Sequence, residues 1–351
     1  MSTTFYTKPE APVNWDDFYG RLSQKNTAPL WEVLSALVTP EPRTPCLPAQ
    51  WRFEEVRPLL MEAGELITAK KAERRVLVLE NPGMRGQSAI TPSLYSGIQL
   101  VMPGEIAPSH RHTIAAFRFV LESDGGYTAV DGERTTMRPG DFVLTPPWTF
   151  HDHGNPGTKP CIWLDGLDAF IVQMLGAVFS EHYPADSQPV TKPEGDSLAR
   201  YGNTLLPVDY KPEQMSAPTF SYPWSRSREA LETLYRNGPI HSRHGVKLQY
   251  ANPATGGSPF PVMGAFLQLL PKGFKGEKYR YTDATVFCCA EGSGRTTIGS
   301  ETFSWSKSDV FVGPSWYPIS HESDGDSVLF SFSDRPAQKA LGLWREEMIE
   351  G

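Results

Sequence analysis

Stretches of helical period and long runs with the two-residue alternation of strands follow one another along the chain. Residues 1 to about 12 show neither period and read as a loose tail. Within 15–38, Leu30, Val33, Leu34 and Leu37 recur at helical spacing, and Pro29 divides the stretch into two short helices. A Pro-rich connector follows, then a further helical pattern over 53–68. Residues 74–80 read as a strand with basic residues at its start, closed by the turn Asn81-Pro82-Gly83. From Leu94 to about Phe170 short alternating runs succeed one another, with Ser123-Asp124-Gly125-Gly126 and Val130-Asp131-Gly132-Glu133 as hairpin turns. A helix is compatible with 169–179. The stretch from 184 to about 225 is Pro-rich and polar without a period, and 227–237 is helical again.

The pattern then repeats. The fourteen residues ending at His153, GDFVLTPPWTFHDH, align without gaps against SDVFVGPSWYPISH, ending at His321. Asp141, Pro146, Trp148 and His153 thereby match Asp309, Pro314, Trp316 and His321. Upstream, Gln99 and Gly104 match Gln268 and Gly273, and Asn81-Pro82 matches Asn252-Pro253. The chain carries two copies of one β-rich domain. The expected division is an N-terminal helical extension (1–80), a first barrel (81–175), a Pro-rich linker with a short helix (176–245) and a second barrel (246–351).

The copies differ in their chemistry. Four of the eight histidines fall between Pro103 and Asn155, as the pairs His110/His112 and His151/His153. Two-residue spacing puts each pair on one strand face. In the second copy Tyr279 and Tyr281 stand against His110 and His112, Ile319 against His151, and only His153 has a histidine counterpart. His110, His112 and His151 are therefore the candidate ligands of a first-row divalent metal. Ala116 stands four residues after His112, where many related barrels place a glutamate ligand, so the protein supplies no carboxylate. Such a site favours an anionic chelating substrate and Fe(II) with O₂ over a Mn(II) decarboxylase site. Zn(II) hydrolysis remains open. Arg118 shares the face of His110 and can grip a carboxylate, or else forms a surface ion pair. Gln99 contacts substrate or O₂, or is structural. His153 is a fourth ligand, an acid/base group or a structural hydrogen-bonder, with acid/base preferred. Asp165, acidic in an apolar strand, orients a histidine or is a surface carboxylate.

Composition narrows the setting. The 351 residues carry a net charge of −7 with no basic run, which argues against nucleic acid as a partner. No window approaches a membrane span, and the N-terminus has no apolar signal core. Cys46, Cys161, Cys288 and Cys289 form no CxxC pair and read as reduced buried thiols of a cytoplasmic protein. Apolar surface on the helices and second barrel predicts a homo-oligomer.

PGEIAPSHRHT, the arginine in AAFRFVLES, and PGDFVLTPPWTFHDHGN together resemble the bicupin ring-cleaving dioxygenases, gentisate 1,2-dioxygenase with its salicylate and 1-hydroxy-2-naphthoate relatives. The resemblance spans most of the chain. It implies a mainly β fold of two antiparallel jelly-roll barrels with an N-terminal helical extension, assembled as a tetramer. It implies Fe(II) on His110, His112 and His151, with Arg118, Gln99, His153 and Asp165 around a small aromatic hydroxy acid and O₂. Arg74 would reach the pocket, and Val76, Tyr95 and Gly97 match positions of its wall. Salicylate-accepting relatives carry tryptophan where this chain has Tyr95, which leans the expectation to gentisate and its ring-opened product maleylpyruvate. A metal-binding bicupin without turnover is the alternative outside the enzymes.

Overall fold

The computed structural model describes residues 14–203 and 205–349, so the expected tail over residues 1 to about 12 lies outside the described residues. The chain divides into two compact units, one ending at Arg43 and one beginning at Thr44. In the first, α1 (Trp15–Gln24) starts where the Asn14 side chain accepts from the backbone N–H of Asp16 and Asp17. α2 (Leu30–Leu37) starts after Pro29, whose fixed φ suits a helix entry. Tyr19 donates to Glu32 across the two helices at 2.6 Å.

In the second unit, β1 (Ala49–Trp51) leads to α3 (Phe53–Leu66), the single turn α4 (Ala69–Ala72) and β2 (Val76–Val78). The first barrel continues with β3 (Tyr95–Val101), β4 (Ile106–His112), β5 (Ala116–Glu122) and β6 (Tyr127–Val130). It closes with β7 (Glu133–Thr136), β8 (Phe142–Thr145), β9 (His151–Gly154) and β10 (Cys161–Leu167). Next come α5 (Ala169–Met174), β11 (Ser180–His182), α6 (Asp196–Tyr201), β12 (Ser221–Tyr222) and α7 (Trp224–Asn237). The second barrel comprises β13 (Val246–Gln249), β14 (Gly264–Leu270), β15 (Tyr279–Tyr281), β16 (Thr285–Glu291) and β17 (Ser293–Ile298). It continues through β18 (Glu301–Ser306), β19 (Val310–Gly313), β20 (Ile319–Ser323) and β21 (Ser327–Ser333) to α8 (Arg335–Ala340) and β22 (Glu346–Met348).

Each barrel is a six-stranded and a five-stranded antiparallel sheet. The first combines the order β12-β8-β5-β10-β3-β2 with β11-β4-β9-β6-β7. The second combines β1-β19-β16-β21-β14-β13 with β18-β17-β20-β15-β22. The bicupin expectation holds. Val130–Glu133 is the expected hairpin turn, with Asp131 and Gly132 at φ 46° and 79°. Ser123–Gly126 is not: both edges of β5 are taken by β8 and β10, so this turn crosses to β6 in the other sheet.

Residues 176–245 are more than a linker. β11 pairs with β4, and β12 pairs with β8. The helix expected over 169–179 stops at Met174, with Gly176 at φ 66° just beyond. β1, before the first barrel, pairs with β19 of the second; β12, before the second barrel, pairs with β8 of the first. The helix after each strand starts on the opposite barrel: Phe53 N–H donates to Asp309 and Trp224 N–H to Asp141, both at 2.8 Å. The two aspartates matched by the repeat are thus borrowed helix caps.

The outer faces of the two six-stranded sheets pack together in one core. Phe119 stacks on Phe330 at 4.1 Å, and Phe117 meets Phe332 edge-on at 4.8 Å. Cys288 lies in this shared core while Cys289 faces the second barrel's interior, as their adjacency predicts; all four cysteines are free and buried. No described helix is long and apolar enough to cross a membrane.

Candidate metal centre

The alternation of β4 puts His110 and His112 on the inner face, and pairing with β9 sets His151 opposite His110. The Nε2 atoms of His110 and His151 are 3.1 Å apart, and one ligand atom from each of the three rings lies within 4.8 Å of the others. On two of the rings the second nitrogen is occupied by backbone. His112 Nδ1 donates to Ile114 O at 2.7 Å and His151 Nδ1 to Thr149 O at 3.1 Å, which turns both Nε2 lone pairs inward. Burial, with Arg74 and Arg118 nearby, lowers His110 to about 2; burial, against the Ile114 bond, lowers His112 to about 4. His151 is held well below its ordinary value, chiefly by burial. Three neutral imidazoles with converging lone pairs fit a divalent first-row ion. Among the described residues the cluster contains no carboxylate, and Ala116 is buried at the start of β5.

Arg118 is buried, not a surface ion pair: it donates to Thr145 Oγ1 and, at 3.2 Å, to His153 Nε2, and its Nε has no partner. Asp165 stands opposite it on β10. Among the described residues Asp165 has no hydrogen bond to a histidine. It accepts from Trp163 Nε1 at 2.8 Å, and burial, partly offset by Arg118, raises it to about 6. Gln99 is buried with its Nε2 unpartnered. Arg74 donates to Pro108 O at 2.9 Å and reaches His151 O at 3.5 Å; burial, then Arg118, lowers it to about 9. A Cβ on Gly97 would lie 2.4 Å from Val76 Cγ1 and 3.1 Å from Tyr95 Oη, so these three residues meet at one wall.

His153 is outside the three-ring cluster. Its Nε2 accepts a hydrogen bond from Arg118, and its Nδ1 donates to Thr128 Oγ1 at 2.9 Å, which donates on to Met137 Sδ. In the second barrel His321 Nδ1 bonds Thr296 Oγ1 at 2.8 Å, again across 25 residues of sequence. Thr128, Thr145 and Trp163 were not singled out from sequence. Extending the repeat by that spacing would have found Thr128 and Thr296. His182, opposite His110 on β11 with ring centroids 6.4 Å apart, is a further missed neighbour. The matched tryptophans brace the ends of two corresponding strands, β4 and β15. Trp148 and Trp316 sit at φ 61° and 66° and donate their N–H to His112 O and Tyr281 O, under Arg111 and Arg280.

Residues 97–167 match the cupin domain family. The chain is 54% identical to gentisate 1,2-dioxygenase 1 of Aquipseudomonas alcaligenes over 98% of its length and 99% of the relative's. It is 36% identical to 5-aminosalicylate 1,2-dioxygenase of a Comamonas species, covering 95% of this chain and 90% of that protein. Among solved structures, a tryptophan-to-tyrosine variant of salicylate 1,2-dioxygenase from Pseudoaminobacter salicylatoxidans, in complex with gentisate, superposes with a TM-score of 0.91. The two are 32% identical, over 100% of this chain and 99% of that one.

Proposed function

The chain belongs to the gentisate 1,2-dioxygenase family of ring-cleaving cupin enzymes, and we propose on that premise that it opens the ring of gentisate with Fe(II) and O₂. The observation that carries this reading is a three-histidine cluster without a carboxylate beside a buried arginine with a free Nε. His110, His112 and His151 would hold the ion, which supplies the redox chemistry with O₂.

The protein's own groups position and balance charge. Arg118 and Arg74 offer two guanidinium groups to the substrate carboxylate. Gln99 Nε2 and Arg118 Nε are buried donors waiting for an oxygen acceptor. Asp165, ionised above about 6, faces both arginines and can take the proton of a ring hydroxyl. His153 accepts from Arg118, and Thr128 holds its tautomer, so it acts by holding Arg118 in place. Gly97, Val76 and Tyr95 shape the wall against the ring. Both atoms of O₂ enter the product, and the ring bond between the carboxyl-bearing and the adjacent hydroxyl-bearing carbons breaks, giving maleylpyruvate. A homotetramer in the cytoplasm completes the reading, supported by exposed apolar residues on α2 and by four free thiols.

Metal analysis followed by O₂ uptake tests the proposal. Iron-loaded enzyme is expected to consume O₂ with gentisate faster than with salicylate and to form maleylpyruvate. His112→Ala is expected to lose both metal and uptake. Faster turnover of salicylate or 1-hydroxy-2-naphthoate would transfer the assignment to those relatives. No uptake with any of the three would leave a metal-binding bicupin.

A further inference from the structure

The second barrel keeps the frame of the first site with other chemistry inside it. Tyr279 stands opposite Ile319 as His110 stands opposite His151. Gln268 faces Lys247 on β13 as Gln99 faces Val76 on β2. Phe287 pairs with Ser331 as Arg118 pairs with Asp165. His321 keeps the place of His153. Lys247 is thus the cation of this copy, entering from the wall position of Val76.

The frame is left with unmet polar groups. Both amide atoms of Gln268, His321 Nε2 and Ser331 Oγ have no partner, and all three residues are 0% exposed. Ser331 lies two positions along β21 from Leu329, the register partner of Gln268, so both side chains share the inner face. Buried polar atoms are seldom left unmet in such number.

Lys247 adds an unpaired charge. Its Nζ lies 5.0 Å from the centre of the Phe266 ring and 6.0 Å from that of Phe287, with no carboxylate in ion-pair contact among the described residues. The acids facing it are committed elsewhere. Asp283 accepts from Arg335 at 3.2 Å and from Trp344 at 2.7 Å, and Glu346 pairs with Arg243. Arg335 is paired with Asp283 and Arg243 with Glu346, so Lys247 is the cation left without an ion-pair partner among the described residues. Burial, then Arg335, lowers Lys247 to about 7, and an anion beside it would restore its full charge. A cavity of about 200 Å³ opens beside Lys247, with His244, Phe266, Tyr279, Arg335 and Glu346 on its lining, while Gln268, His321 and Ser331 lie off that lining.

We propose that this cavity binds a small organic monocarboxylate, with Lys247 as counter-ion. The single unpaired charge selects a monoanion, and Glu346 on the lining disfavours phosphates and dicarboxylates. Phe266 and Tyr279 give the lining aromatic surface, which suits a one-ring acid. This does not depend on which substrate the first barrel takes.

Crystals of the metal-loaded enzyme soaked in 4-bromobenzoate test the site, because anomalous scattering places the bromine in one barrel or the other. A peak in the second-barrel cavity is expected, retained in Lys247→Arg and lost in Lys247→Met. Calorimetry with benzoate should show a binding event in wild type that weakens at least tenfold in Lys247→Met, with the thermal transition as a check on folding. If Lys247→Met does not fold, Lys247→Gln takes its place, and the wild-type crystal decides alone. Bromine confined to the first barrel, or equal occupancy with and without the Lys247 charge, would overturn the proposal.

Discussion

Gly97 shows how much one hydrogen atom decides in the candidate pocket. A methyl group there meets Val76 Cγ1 at 2.4 Å, far inside contact distance, and Val76 has to move. Overpacking of this kind costs about 1–3 kcal/mol. Gly97→Ala is therefore expected to raise KM for gentisate severalfold and to shift preference among hydroxybenzoates, with the fold retained. Val76→Ala in the same chain removes the clashing atom and should restore KM; steady-state kinetics on the single and double variants check this, and an unrestored double variant would count against the shared wall. At this scale the three-histidine cluster was legible, because alternation and the loss of three histidines from the second copy both mark it. The partners of the other site residues were not. That Trp163 holds Asp165 and Thr145 holds Arg118 depends on which strands lie side by side, and no local pattern states that.

Among elements, the exchanged strands matter most. The stretch read as an aperiodic linker hid α6 and β12, because a six-residue helix and a two-residue strand are too short to show a period. Their place is set by contacts far away in sequence. Buried Glu133 on β7 accepts from the backbone N–H and hydroxyl of Ser197 at 2.9 and 3.0 Å, fastening α6 to the first barrel. Glu133→Ala leaves that buried N–H unmet, a loss of about 1–3 kcal/mol. The expected result is faster proteolytic nicking between 190 and 220, with metal content unchanged. Protection equal to wild type would show that α6 is held by other contacts. The capping roles of Asp141 and Asp309 were half legible: the repeat paired them, and only the fold shows each serving the other barrel's helix.

For the whole molecule, buried histidines set the response to acid. Burial lowers His110 to about 2, His112 to about 4, and His244 and His321 to about 3, and holds His151 and His153 well below their ordinary value. These six stay neutral in the folded chain, while the unfolded chain protonates them near 6.5. Their contribution to stability is full above that value and is lost as pH falls towards the folded values. Asp165, Asp168 and Asp334, raised by burial to about 6, act in the opposite sense. They bind protons first in the folded chain and favour it as pH falls from 6 towards 4. Lys247, lowered to about 7 in the folded chain while the unfolded chain holds its proton throughout this range, acts with the histidines as pH falls to about 7. Seven groups against three give a net loss, so the urea midpoint should be lower at pH 5.5 than at pH 7.5. A higher midpoint at pH 5.5 would mean that the carboxylates dominate.

The shared phenylalanine face has a consequence for how such a chain can change by mutation. Along β16, Val286 and Cys288 face the other barrel, while Phe287 and Cys289 face inward. A change at an outward residue therefore disturbs the core both barrels share, and a change at one between them only the interior of the second. A duplicated barrel built this way can carry Tyr279, Tyr281 and Ile319 where its twin has three histidines, since the outward residues still hold that twin in place.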